Sequence, residues 1–320
     1  MNTIFADNEG AARASPTPPA AKPLAQTMTT LVRRELWEYR GLWLAPLIMA
    51  GLVVLAAVIG HVNFDFAHSH NEKMRMLLTP QGRAGITTVV QWVVTVPLFI
   101  MAAFVLSYYL LDTLHAERQD RSILFWKSLP VSDGLTVASK LLTGLLVVPL
   151  GVFVLAIATQ LVFSVIIAVR VATGSAPDLL SFSFLSWLQL ETVMLLELLV
   201  AVLWYAPIAA LCLLMSVALR RPVLWAVAAP ILLPILEWIA FRTHYLWAFF
   251  RYRTIGIWHL LVQGVNVNPQ TMADRPLSSA LLSQLNFAGA FTSLDLWLGI
   301  VAAAAMVYAT IRIRRYRDDT

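Results

Sequence analysis

The sequence predicts an all-α polytopic membrane protein with six transmembrane helices, and three observations carry that prediction. Of its 320 residues, 59% are hydrophobic and only 13% are charged, whereas a soluble domain is about half apolar and about a quarter charged. Six stretches reach the roughly 20 predominantly apolar residues that a helix needs to cross the hydrocarbon core, and the mean hydropathy is +0.73. The basic residues, finally, divide unevenly between the two sides that those stretches define.

Residues 1–25 are rich in Ala, Pro, Ser and Thr, with Pro16, Pro18, Pro19 and Pro23. Such a composition buries no core, and a disordered tail is expected there. No short apolar core with a cleavage signal opens the chain, so the first apolar run should remain as an anchor. Residues 26–320 are expected to form a single membrane domain. Ahead of the first span, TTLVRRELWEYRG (29–41) sets Val32, Leu36, Tyr39 and Trp43 at helical spacing, with Arg33, Arg34, Glu35 and Glu38 mostly elsewhere around the wheel. The pattern predicts a helix lying in the interface, its basic residues near anionic headgroups.

The spans follow at about 43–62, 88–111, 141–169, 188–219, 223–241 and 294–311. The third and fourth are longer than crossing requires, which predicts tilt or extension beyond the bilayer. Arg220-Arg221-Pro222 separates the fourth from the fifth, and Pro207, Pro230 and Pro234 are expected to kink those two. Between the fifth and sixth lie about 50 residues containing Trp247, Phe249, Phe250, Ile255, Ile257, Trp258, Leu260 and Leu261. Aromatic side chains prefer the depth of the membrane interface, so short external helices are predicted there.

Alternation of the spans puts Arg13, Lys22, Arg33, Arg34 and Arg40 on one side, together with Arg118, Arg121, Lys127, Lys140, Arg220, Arg221 and the tail residues Arg312, Arg314, Arg315 and Arg317. That side holds fifteen of the 23 basic residues; Lys73, Arg75, Arg83, Arg170, Arg242, Arg251, Arg253 and Arg275 fall on the other. The richer side should be cytoplasmic, with both termini inside. The net charge of +5 and pI near 9.6 are thereby read as membrane topology, not as a nucleic-acid footprint. Cys212 is the only cysteine and sits within an apolar run, which excludes an intrachain disulfide and makes it a small buried hydrophobe.

Motifs for chemistry are scarce. There is no G-x-x-x-x-G-K-[ST] phosphate loop, no H-E-x-x-H and no G-x-S-x-G. His61, His68, His70 and Glu72 are the best candidates for a metal site, but nothing in their spacing fixes a geometry, and no metal is expected. Intramembrane carboxylates carry more information, because a charge at the bilayer centre costs about 2.5–3.5 kcal/mol on insertion scales. Glu197 lies well inside the fourth span and Glu191 nearer its external end. Six residues at about 100° each separate them around the helix, so they form no acid/base dyad. Both are candidates for the wall of a translocation path, with a structural helix contact as the competing account of Glu197. Glu237 and Asp295 lie at predicted external span ends, where the interface accounts for them.

One segment between the second and third spans reads like soluble protein: ERQDRSILFWKSLPVSDGLTVASK, residues 117–140. A helix over 116–128 would stop before Pro130, since the residue preceding proline is biased out of the α region. Ser132 or Asp133 would then cap a second helix running through Lys140 into the third span. Ile123, Leu124, Phe125 and Trp126 form an apolar block too broad for one face, and something must cover it.

The segment resembles the first cytoplasmic loop of ABC transporter permease subunits of the type-2, exporter-like class. The matching residues are Glu117, Leu129, Pro130, Val131, Ser132 and Lys140, and DRSILFWKSLPVSD (120–133) is similar to one bacterial branch; Arg121-Ser122 stand where a Gly-Thr pair is commoner. The predicted layout of six spans, inside termini, an interfacial helix and external helices between spans five and six agrees with that class. The resemblance implies that the loop is a coupling helix seated in a separate ATPase, with Glu117, Asp120, Arg121, Leu124, Phe125, Trp126, Leu129, Pro130 and Ser132 at or near the contact. It further implies a non-catalytic permease in the bacterial inner membrane, paired with a second copy or paralogue, with ATP and magnesium held only by the partner ATPase. Two other readings stand beside it: a proton-coupled carrier using Glu197, although the halves show no convincing internal repeat, and a metal-dependent membrane enzyme.

Overall fold

The computed structural model describes residues 24–60, 79–120, 131–174, 183–262 and 285–316, and all of its regular structure is helical. Helix α1 (Leu24–Glu38) precedes α2 (Gly41–Ile59) and the long α3 (Pro80–Gln119). Then α4 (Asp133–Leu142) passes through a π-helical turn (Thr143–Val147) into α5 (Val148–Ala172). After α6 (Phe184–Ala218) and α7 (Pro222–Phe241) come α8 (Tyr245–Val262), the short α9 (Phe287–Thr292) and α10 (Leu294–Tyr316). Six of these units are long and apolar enough to cross a membrane: α2, α3, the continuous α4–α5, α6, α7 and α10. The chain is therefore an all-α polytopic membrane protein, with span positions close to those expected.

Local chemistry sets the boundaries. Ser132 caps α4, its Oγ accepting from the Leu135 amide at 3.3 Å, and Pro222 opens α7, where its missing N–H costs nothing. The π turn has an equally local cause. Pro149 has no N–H for the carbonyl of Leu145, and its ring crowds that carbonyl. The ladder widens by one residue, so the Val148 amide bonds Thr143 O five residues back. At 40 residues α3 is ~60 Å long, twice the hydrocarbon thickness, and it carries its last turns, with Thr113 and Glu117, beyond what crossing requires.

The core is built around α6, which packs chiefly against α10 and α3, while α2 lies against α3 and α5. Leu98, Leu114, Val137, Ala156 and Leu213 are completely or almost completely enclosed in the main cluster, and Cys212 is buried there as a small hydrophobe. A second cluster joins α6 to α8, α9 and α10 through Trp204, Ile257, Ala290 and Leu296. Helix α7, by contrast, leaves most of its apolar surface uncovered.

Short helices between the fifth and sixth spans, as expected, are present as α8 and α9; residues 263–284 between them lie outside the described residues. Glu237 turns back on the start of α8, accepting from the Tyr245 and Leu246 amides at 2.8 Å each and from Thr243 Oγ1 at 2.7 Å. Its place at a span end is thus a cap for the next helix. Arg242, at φ 56°, makes the left-handed turn between the two. At the other end of the segment, Arg253 donates to Trp204 O at 2.8 Å, and Trp204 Nε1 returns a bond to Arg253 O at 3.0 Å. Tyr252 donates to Asp295 at 2.6 Å. Burial, reinforced by the Asp295 hydrogen bond and charge, pushes the Tyr252 phenol up to about 12.

Candidate functional site: a buried ionic joint

Four charged side chains are sealed inside the protein where α1, α3, α4 and α10 meet. Glu35, Glu117, Lys140 and Arg314 are each no more than 3% exposed. Lys140 Nζ stands 2.9 Å from Glu35 Oε1 and 2.9 Å from Glu117 Oε1, and donates to Thr113 Oγ1 at 2.6 Å. Arg314 Nη1 pairs with Glu117 Oε2 at 2.6 Å and its Nε with Asp133 Oδ1 at 3.1 Å. Glu35 Oε2 also accepts from the Tyr109 hydroxyl at 3.0 Å and from Thr113 at 3.4 Å. Arg34, only partly exposed, reaches Glu117 at 3.4 Å while binding Glu38 at 3.1 Å.

The two acids and two bases balance, which is the condition for such a cluster to persist: an unpaired buried ion costs several kcal/mol, whereas a well-bonded neutral set approximately offsets its desolvation. Tyr39 packs beside the site, its ring edge-on to Tyr109 at 4.9 Å. Its phenol is raised above the ordinary value by burial first, and then by the carboxylates of Asp112, Glu38 and Glu35.

The joint brackets the soluble-looking segment. Glu117 opens it, and Asp133 and Lys140 stand in its last part, on the helix that Ser132 caps. The side chain of Glu117 points into the joint and not outward, while Asp120, one turn on, is exposed. Arg121, Leu124, Phe125, Trp126, Leu129 and Pro130 lie outside the described residues, as do His61, His68, His70 and Glu72 and residues 1–23 of the tail expected to be disordered; its last two residues, Leu24 and Ala25, open α1. Among the described residues no group of His, Cys, Asp or Glu has the form of a metal site.

The sequence reading missed Glu35 and Arg314. Glu35 sits with the polar residues of α1 on a helical wheel, yet α1 buries Leu31 and Glu35 most deeply and leaves Trp37 exposed. The available signal was its charge: a glutamate and a lysine both adjoining predicted spans on the same side of the membrane. Arg314 lay within a tail read only as a topology marker.

The two candidate carboxylates of the fourth span do not meet. Glu191 is buried with neither oxygen completing a hydrogen bond, beside the Gln160 side chain. Gln160 itself donates to Thr95 Oγ1 at 2.8 Å and accepts from Trp187 Nε1 at 3.1 Å. Glu197 is half-buried and bonds nothing among the described residues. Elsewhere, basic side chains close helix ends. Arg118 donates to the carbonyls of Ser216 at 2.8 Å and Leu219 at 3.1 Å at the end of α6, and Arg170 to those of Ala57, at 2.9 Å, and Gly60 at the end of α2.

Compared with known proteins, the chain matches no family model, no curated protein and no solved structure.

Proposed function

We propose that this chain is the permease subunit of an ATP-driven exporter of the bacterial inner membrane, driven by a separate ATPase that grips residues 121–130. One observation carries the reading: the buried joint ties both flanks of that segment to α1 and to α10. A load applied to 121–130 therefore reaches four helices through short, charge-assisted contacts, and three of them belong to candidate spans. The apolar block Ile123 to Trp126 supplies the surface for the motor, and the missing phosphate loop is accounted for because ATP and magnesium sit in the partner. A second copy or paralogue completes the pathway, and both termini face the cytoplasm.

The test is whether an ABC-type ATPase is encoded beside this gene and copurifies with the chain, followed by reconstitution. Trp126→Ala should weaken association or the permease's effect on ATP hydrolysis while leaving insertion intact. Glu117→Arg should uncouple for a different reason, by breaking the joint. If both variants copurify with the ATPase and stimulate it like the wild type, the coupling assignment is wrong. A proton-driven carrier is the second reading, favoured by the buried Glu191 carboxylate and its unfilled hydrogen-bonding capacity. It predicts uptake or efflux abolished by a protonophore and indifferent to ATP.

A further inference from the structure

We infer that the groove between α1 and the beginning of the third span is a binding site for an anionic phospholipid, one acyl chain lying in the groove and the phosphate on Arg33. The groove encloses about 310 Å³. Met28, Val32 and Leu36 form one wall, Leu142 and Val147 the other. Thr29 adds only its methyl group, because its hydroxyl is spent on Gln26 O at 3.0 Å. Water in such a space finds too few polar partners to be held, and a hydrocarbon chain fits its chemistry.

The rim identifies the headgroup. Arg33 is exposed, stands 5.4 Å from the Trp37 ring centroid, and pairs with no carboxylate among the described residues. Its neighbour Arg34 is occupied by Glu38 and Glu117. Trp37 is 68% exposed, with the amphipathic ring that favours headgroup depth. A guanidinium above an apolar slot, flanked by an indole, complements a phosphate over an acyl chain. A zwitterionic lipid would answer Arg33 less well, and a globular partner needs about 1,000 Å² or more of contact, which one slot does not offer.

The location gives binding a consequence. Leu142 precedes the π turn and Val147 ends it, and Leu142 lies two residues after Lys140, so a seated chain braces α1 against the helix that supplies the ammonium of the joint. This inference does not depend on the transport reading.

The test is lipid retention by the full chain, released from nanodiscs containing equal phosphatidylglycerol and phosphatidylcholine of matched chains and read by native mass spectrometry. One basic contact near the surface should give about a fivefold preference for the anionic lipid. Arg33→Gln, an exposed change that leaves packing intact, should erase the preference while a lipid is still retained. Val147→Trp, which fills the slot, should remove the retained lipid of either kind. Equal retention of both lipids by the wild type overturns the proposal, as does an unchanged preference in Arg33→Gln. Higher retention after deletion of residues 1–23 also overturns it, by showing that the chain's own tail is the occupant.

Discussion

Replacing Lys140 by methionine removes one charge from the joint and keeps most of the volume. In the wild type that ammonium lies 2.9 Å from each of two carboxylates, Glu35 and Glu117, and 1% of the residue is exposed. Without it, Glu117 keeps Arg314 at 2.6 Å, but Glu35 keeps only neutral donors and Arg34 at 3.7 Å. The buried set then carries one uncompensated negative charge. Breaking a buried pair from one side costs about 3–5 kcal/mol, and at about 2 °C per kcal/mol for a chain of this size the unfolding midpoint should fall by about 6–10 °C. The assay is thermal unfolding in one fixed detergent or nanodisc, followed by tryptophan fluorescence. Lys140→Met combined with Glu35→Gln restores neutrality and should recover at least ~1–2 kcal/mol, a coupling of the size expected for residues in direct contact. A loss of ~1 kcal/mol or less for Lys140→Met would mean an ion pair behaving as if solvated. That result, or strict additivity in the double variant, would refute the assignment of a sealed joint.

Three other outcomes follow from single contacts. Ser132→Ala should cost about 1 kcal/mol and speed amide exchange over the first turn of α4, because the Leu135 amide loses its acceptor. Gly299→Val should loosen α8 from α6: a Cβ at this position would overlap Arg253 Nη2, so the guanidinium must leave Trp204 O on α6, and limited proteolysis should cut near α8 sooner than in the wild type. Arg170→Ala should leave the last carbonyls of α2 without their donor, at a cost of about 1–2 kcal/mol, read as faster exchange in the last turn of α2 with little change in α6.

The spans could be read from the chain because their signal is additive: twenty apolar residues in succession have one cheap environment, wherever the rest of the protein lies. The Ser132 cap was equally local, set by a hydroxyl three residues before the amide it accepts. The joint was not local. Glu117 and Arg314 are separated by 197 positions, and neither residue's neighbours indicate that they meet. Resemblance placed Glu117 in a loop that contacts a partner; the structure turns its carboxylate inward, onto Lys140 and Arg314. Amphipathicity misjudged α1 for a related reason. A wheel assigns Glu35 to the wet side because it is charged, but a carboxylate that finds an ammonium and two hydroxyls can face inward.

A sealed, balanced ion cluster is a poor device for stability alone, since apolar side chains of similar size often serve as well or better. What it supplies is a joint that tolerates only one register, because each helix must bring its charge to within bonding distance of the others. That distinction is measurable. In a variant with Glu35, Glu117, Lys140 and Arg314 all replaced by methionine, no sealed charge is stranded, since Asp133 is 27% exposed to water and Arg34 keeps Glu38, so its unfolding midpoint should exceed that of Lys140→Met by about 6 °C or more, at the conversion of about 2 °C per kcal/mol. On the transport reading the same variant should still bind its ATPase through residues 121–130, yet fail to pass the stroke to α1 and α10, so that hydrolysis continues without transport. Full transport in a stable all-methionine variant would reduce the joint to packing, and the route from motor to spans would then have to run through α3 and the α4–α5 helix, the two that the segment joins covalently.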